Sequence, residues 1–136
     1  MRIVLLAVLS VFSLAAAEPE SVLTTLASAL SERNPGAFMR PFDPEMPGFD
    51  SLRANIEALT VQADVISSID PLNRREEGSE TILEVDWALT LQSRTDSAGG
   101  PTERRRQTIT LKLRRQGNNW RVISLSPLTF FDPPRF

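Results

Sequence analysis

An α+β fold, with helices early in the chain packed on one face of a curved antiparallel sheet, is predicted by three observations. Apolar residues recur at helical spacing near residues 19–33 and 50–58, they then alternate with polar residues, and turn-forming residues separate the alternating stretches. The sheet is expected to hold four strands or more. A length of 136 residues suits one domain, and a chain that is 41% hydrophobic and 24% charged can bury a core.

The first segment reads as a secretory leader. Met1 and Arg2 precede an apolar run from Ile3 to Leu14, and Ala15, Ala16 and Ala17 supply the small residues that favour cleavage. The run is shorter than the roughly 20 residues a membrane-spanning helix needs. Residues 1–17 are therefore expected to be removed. The remaining domain, residues 18–136, would be periplasmic or extracellular, with no stable membrane insertion.

Within that domain, Val22, Leu23, Leu26 and Leu30 share one helix face, and Asn34-Pro35-Gly36 stops the helix. The next stretch, to Asp50, interleaves Pro35, Pro41, Pro44 and Pro47 with Phe38, Met39, Phe42, Met46 and Phe49. It is too proline-rich for a long helix, so it is read as short helical turns over the core. Asp50 is a candidate N-cap for a second regular helix to about Ala58, with Leu52, Ile56 and Leu59 on one face. Leu59, Val61, Ala63 and Val65 then alternate with polar residues, which predicts a first strand ending at Asp70-Pro71.

The second strand carries Leu83, Val85, Trp87, Leu89 and Leu91 on one face, and the third carries Ile109, Leu111 and Leu113. Setting Asp86 opposite Lys112 places Glu84 opposite Arg114 and Thr90 opposite Thr108. The same register sets Val85, Trp87 and Leu89 against Leu113, Leu111 and Ile109. Gly117-Asn118 makes a tight turn into a fourth strand from about Asn119 to Phe130. A two-residue loop turns Trp120 and Val122 inward, a three-residue loop Ile123 and Leu125, and Pro127 implies a bulge or an edge.

The absences constrain chemistry. Without cysteine there are no disulfides, thiolate metal sites or thiol nucleophiles, and without histidine or tyrosine the commonest general base and a common oxyanion donor are gone. The formal net charge is −2, and the arginines are scattered among carboxylates. The one dense cluster, Arg104-Arg105-Arg106, reads as a solvated strand start opposite an acidic neighbour. Nucleic acid is not an expected partner.

The order of elements, Pro47-Gly48-Phe49-Asp50-Ser51-Leu52 leading into a helix, Val85-Asp86-Trp87 on a strand, and the ending from Asn119-Trp120-Arg121-Val122 through Ser126-Pro127 to Phe130-Phe131 resemble exported bacterial members of the nuclear transport factor 2-like superfamily, the SnoaL-like and ketosteroid isomerase-like fold. The resemblance spans nearly all of residues 18–136. It implies a cone whose concave sheet face and helices enclose a pocket open at one end, used by isomerases, cyclases, dehydratases and epoxide hydrolases and also by non-catalytic binding modules. Fold therefore leaves function open.

Measured against that resemblance, the isomerase pattern lacks its tyrosine and the cyclase and dehydratase patterns lack their histidine. Asp64 and Asp86 alternate away from the apolar side of their strands, which puts both on the outer face. No catalytic residue, metal ligand or cofactor is assigned. The residues expected to line a small apolar pocket, or to plug it, are Phe38, Phe42, Met46 and Phe49 from the proline-rich stretch, with Trp87, Leu89, Leu111 and Phe130 from the sheet and the C-terminal segment. Arg40, Asp43, Glu45 and Asp50 are candidates for the entrance, with helix capping the simpler role for the two aspartates. Trp120 is placed to stack on Arg115. A non-catalytic binding or accessory domain for an apolar ligand or protein partner, as a monomer or homodimer, is the first expectation. An enzyme of the same fold acting on a small hydrophobic substrate and a structural or assembly module are the alternatives.

Overall fold

The computed structural model describes residues 17–94 and 100–136. Apart from Ala17, the expected leader lies outside the described residues, as does Gly99 of the loop between the second and third strands. Helix α1 (Ser21–Ser31) is followed by the short α2 (Pro35–Met39) and by α3 (Phe49–Gln62). Strands β1 (Ala63–Glu77), β2 (Glu80–Ser93), β3 (Thr102–Gln116) and β4 (Asn119–Ser126) form one antiparallel sheet in sequence order, and a 3-10 turn spans Leu128–Phe131. Among the described residues, no helix is long and apolar enough to cross a membrane.

The helices follow from local chemistry. In α1, Val22, Leu23, Leu26, Ala29 and Leu30 are buried on one face. Asn34 ends the connection by accepting the Ala37 N–H at 3.0 Å, with Pro35 at the first helical position of α2. Two expectations change at α3. Its N-cap is Gly48, not Asp50, which lies in the first turn and pairs with Arg53 at 3.5 Å. The helix also continues to Gln62, so Leu59 and Val61 belong to it and not to β1. Thr60 is buried and donates its hydroxyl hydrogen bond to the Ile56 carbonyl, which leaves Val61 on the exposed side.

Gly48 has φ +80, and a Cβ added there would run into Leu128 Cδ1. Gly48→Ala is expected to destabilise the fold by about 2 kcal/mol, from left-handed strain and overpacking together. In a thermodynamic cycle with Leu128→Ala, the double variant should lose less stability than the two single variants combined. Strict additivity would remove the steric explanation.

The sheet keeps the predicted faces and changes the register. β1 does not end at Asp70-Pro71: it passes a bulge between Pro71 and Asn73 and pairs through Glu77, with the turn at Gly78. In β2 and β3, Asp86 lies opposite Thr108, Val85 opposite Ile109 and Trp87 opposite Gln107. This is four residues from the register that set Asp86 against Lys112. An even shift preserves every inward and outward facing, so alternation could not detect it. The observed register extends the ladder to Gln92–Thr102 and gives the charges different partners: Asp86 takes Arg106, while Glu80 takes Arg114 and Lys112.

β4 satisfies both of its expected facings in turn. The two-residue loop places Val122 opposite Leu113, a register shift follows, and Leu125 then lies opposite Leu111. Both Val122 and Leu125 are consequently buried. The strand ends at Ser126, short of the expected Phe130, which belongs to the 3-10 turn. Beyond β4, Phe42 forms a parallel bridge with Val122, tying the segment after α2 to that edge of the sheet.

Candidate functional site

Among the described residues, the side chains between the sheet and the helices are buried against one another. Trp87, Phe38, Phe42, Leu89 and Leu111 are at most 1% exposed, Met46 and Phe130 are buried, and Phe49 is half-buried against the same core. The rings form a chain of contacts: Phe42 stacks on Phe38 at 5.4 Å, Phe38 meets Phe131 at 5.7 Å, and Phe131 meets Trp87 in a T-shaped arrangement at 5.0 Å. Phe130 closes the cluster, 5.1 Å from Phe131 and 6.2 Å from Trp87. The Trp87 indole N–H donates to the Ser67 hydroxyl at 2.9 Å. Among the described residues the buried polar side chains are Thr60, Thr81 and Ser93, none of them ionisable at neutral pH.

The carboxylates lie outside this interior. Asp64 is exposed, with Arg33 at 3.4 Å and Arg94 at 3.5 Å. Asp86 accepts hydrogen bonds from Arg106, the shortest at 2.6 Å, and these hold its carboxyl below the usual carboxylate range. Asp43 accepts the Glu45 N–H at 2.9 Å and closes a turn, with no helix behind it. Glu45 and Asp50 are exposed on the surface. Among the described residues no group of acidic side chains is arranged to hold a metal ion.

Sequence reasoning missed Arg105. Its guanidinium sits on β3 beneath the C-terminal segment, with its side chain only 11% exposed. It donates to the Phe130 and Asp132 carbonyls, both at 2.7 Å, to the Pro133 carbonyl at 2.9 Å, and twice to Glu103. Every N–H of the fork is used. Carbonyl acceptors carry no side-chain signature, so nothing in the residue pattern announces this clamp.

Hydrogen bonds from Arg105, with the Arg135 backbone N–H adding to them, hold the Glu103 carboxyl below its ordinary value near 4.5. A carboxylate depressed in the folded state contributes stability that is complete above its unfolded value and is lost as the pH falls through the folded one. Urea unfolding between pH 6 and pH 2 should therefore show a shallower acid limb for Glu103→Gln than for the parent chain. Coincident limbs would remove Glu103 from the acid response.

Two surface clefts combine charged, polar and apolar groups: one of about 320 Å³ beside Glu103, Arg105 and Phe130, whose Arg105 and Glu103 are already paired, and one beside Trp120. The latter, of about 390 Å³, lies between the start of α1 (Ser21, Val22, Thr25), the end of α2 (Ala37, Arg40, Pro41) and the β3–β4 hairpin (Gln116, Asn119, Trp120, Arg121), with Ala17 at its rim. The half-buried Trp120 donates its indole N–H to the Ala17 carbonyl at 2.9 Å, and Arg115 stacks over its ring at 5.2 Å, as expected. Arg121 is held by the Gln116 side-chain oxygen and by the Arg40 and Phe42 carbonyls. Of the expected entrance residues, Arg40 alone lines this cleft, and none of the eight expected pocket residues does. A further groove, of about 350 Å³ between α1 and β1 at Leu23, Ile69 and Pro71, offers less varied chemistry, with Glu20 its one charged residue.

No protein-family model and no curated protein matches the sequence. Solved structures do match in shape. A nuclear transport factor 2-like superfamily protein from Salmonella enterica serovar Typhimurium aligns at TM-score 0.65 and 16% identity, over 91% of this chain and 94% of its own. A conserved protein from Planctomyces limnophilus aligns at TM-score 0.66 and 12% identity, over 76% and 87%. Aln2 from a Streptomyces species aligns at TM-score 0.63 and 15% identity, over 81% and 90%. At these identities the likeness concerns architecture, and with the helices, the open four-stranded sheet and the order of elements it leads to one statement: the chain adopts the nuclear transport factor 2-like fold.

Proposed function

We propose that the protein is an exported, non-catalytic binding domain, released from its leader after Ala17 and acting as a monomer or homodimer on a small molecule or a protein partner. The observation that carries this reading is the unbroken chain of rings from Phe42 through Phe38 and Phe131 to Trp87 and Phe130, which occupies the space where an enzyme of this fold would hold its substrate. General acid-base work needs convergent ionisable groups in a cleft. The described carboxylates are instead exposed or paired with arginines, and the partly buried Glu103 is taken up by Arg105 beneath the C-terminal segment. In this reading a ligand meets the molecule at its surface, and the cleft beside Trp120 offers it the most varied chemistry.

Native mass spectrometry of the protein purified from its own host tests both halves of the proposal. The expected spectrum shows a chain beginning at Glu18 carrying a bound small molecule or protein. A chain still beginning at Met1 would sink the export half, and a homodimer with no additional mass would sink the binding half in favour of an assembly module.

A further inference from the structure

We propose that the cleft beside Trp120 binds a small organic acid, a carboxylate or phosphate carried on a compact apolar body; the inference rests on the binding-domain reading and names its ligand class. Among the described residues this chain neutralises its cations with care. Arg33, Arg53, Arg74, Arg75, Arg94, Arg105, Arg106, Arg114 and Arg135 each have a carboxylate partner within 4.0 Å, as does Lys112. Four described arginines have none: Arg40, Arg104, Arg115 and Arg121. Three of these four meet at one place, with Arg40 and Arg121 lining the cleft and Arg115 stacked over its Trp120 wall. Among the described residues no aspartate or glutamate lines the cleft.

This concentration of positive charge belongs to a chain whose formal net charge is −2, so the cleft is a local exception to the protein's own field. Its two lining guanidiniums differ in role. Arg121 is fixed through Nε and Nη1 by the Gln116 side chain and two carbonyls, so its guanidinium needs no further ordering, and Nη2 has no partner among the described residues. Arg40 is exposed, and its guanidinium makes no hydrogen bond or ion pair among the described residues. A planar fork of this kind matches the two oxygens of a carboxylate or phosphate. The lining also has an apolar part, Val22, Ala37, Pro41 and the Trp120 ring, beside the polar Ser21, Thr25, Gln116 and Asn119, and a volume of about 390 Å³ suits a small molecule. A bare anion would leave that apolar part uncovered, and a neutral apolar compound would leave the guanidiniums unused.

The test titrates the chain beginning at Glu18, in which the Trp120 indole N–H no longer has the Ala17 carbonyl as its acceptor, with phenylacetate, with its neutral counterpart 2-phenylethanol and with inorganic phosphate, following that N–H by NMR. Phenylacetate is expected to shift that resonance saturably and to bind about tenfold or more tightly than 2-phenylethanol, as loss of a charge-assisted hydrogen bond implies. Arg40→Gln should remove most of that preference, Arg40→Lys should restore part of it, and added salt should weaken the acid alone. Equal binding of acid and alcohol would overturn the anionic half of the proposal, and phosphate binding as tightly as phenylacetate would overturn the apolar half. An unmoved indole resonance would overturn the site itself. If the protein nevertheless carries a neutral ligand or a protein from its host, the binding-domain reading stands and only the ligand class fails; if it carries neither, both fail.

Discussion

Replacing Trp87 with alanine is expected to lower the free energy of unfolding by about 3 to 5 kcal/mol, measured by urea denaturation. The ring is fully buried on β2, touches Phe130 and lies T-shaped to Phe131, and through Phe131 is connected to Phe38 and α2. Its removal would open a cavity at the one point where the sheet, the helical layer and the C-terminal segment meet. Trp87→Phe should cost less, since most of the apolar area is retained. Ser67→Ala isolates the polar contribution: it leaves the indole N–H without its acceptor, at a cost of about 1 to 2 kcal/mol. A Trp87→Ala variant within about 1 kcal/mol of the parent would contradict this account of the core.

The second large effect belongs to Arg105. Arg105→Met should cost about 3 to 5 kcal/mol, because Glu103 would be left partly buried without its partner and three carbonyls of the C-terminal segment would lose their donor. Hydrogen exchange should accelerate at residues 128–135 more than in α1. Arg105→Lys is the sharper variant, since an ammonium keeps the charge but cannot reach two sides of the site as the planar fork does. It should recover little of the lost stability. Full recovery would show that charge alone holds the segment, and the five-bond geometry would then be incidental.

Facing was legible in the sequence, and register was not. Leu83, Val85, Trp87, Leu89 and Leu91 alternate so strictly that their burial could be predicted from spacing, and so could that of Ile109, Leu111 and Leu113. Charge pairing offered one register, but Asp86 finds as suitable a partner in Arg106 as in Lys112, and arginine is frequent enough along β3 to satisfy more than one alignment. At the α3–β1 junction the periods overlap: Leu59 completes the face begun by Leu52 and Ile56 and also starts the alternation Leu59, Val61, Ala63, Val65. The helix prevails through Gln62.

The site was less legible than the fold for a related reason. The residues expected to line a pocket or to plug it were chosen for apolar character, which cannot separate the two roles; seven are buried in the core and Phe49 packs against it half-buried, while Phe130 also borders a groove with Glu103, Arg105 and Arg135. The cleft that carries unneutralised charge is assembled from Arg40, Trp120 and Arg121, brought together by a hairpin and by the Val122–Phe42 bridge. Only the stacking of Arg115 on Trp120, a neighbouring pair across a tight turn, lay close enough in sequence to be foreseen.

An open sheet has two free margins, and each offers a row of backbone donors and acceptors to any passing strand. At β4 the bridge from Phe42 to Val122 takes up part of that row. At β1, α1 lies beside the early half near Ile69 and Pro71, while the outer half is guarded differently. Pro71 contributes no N–H, the bulge before Asn73 bends the strand, and Asp70, Arg74, Arg75, Glu76 and Glu77 crowd it with solvated charge of both signs. Ile66 and Leu72 are exposed on the same strand, and these features oppose its pairing edge to edge with another copy. The β1 arm thus carries in its own residues the devices that discourage fibre growth at an open edge.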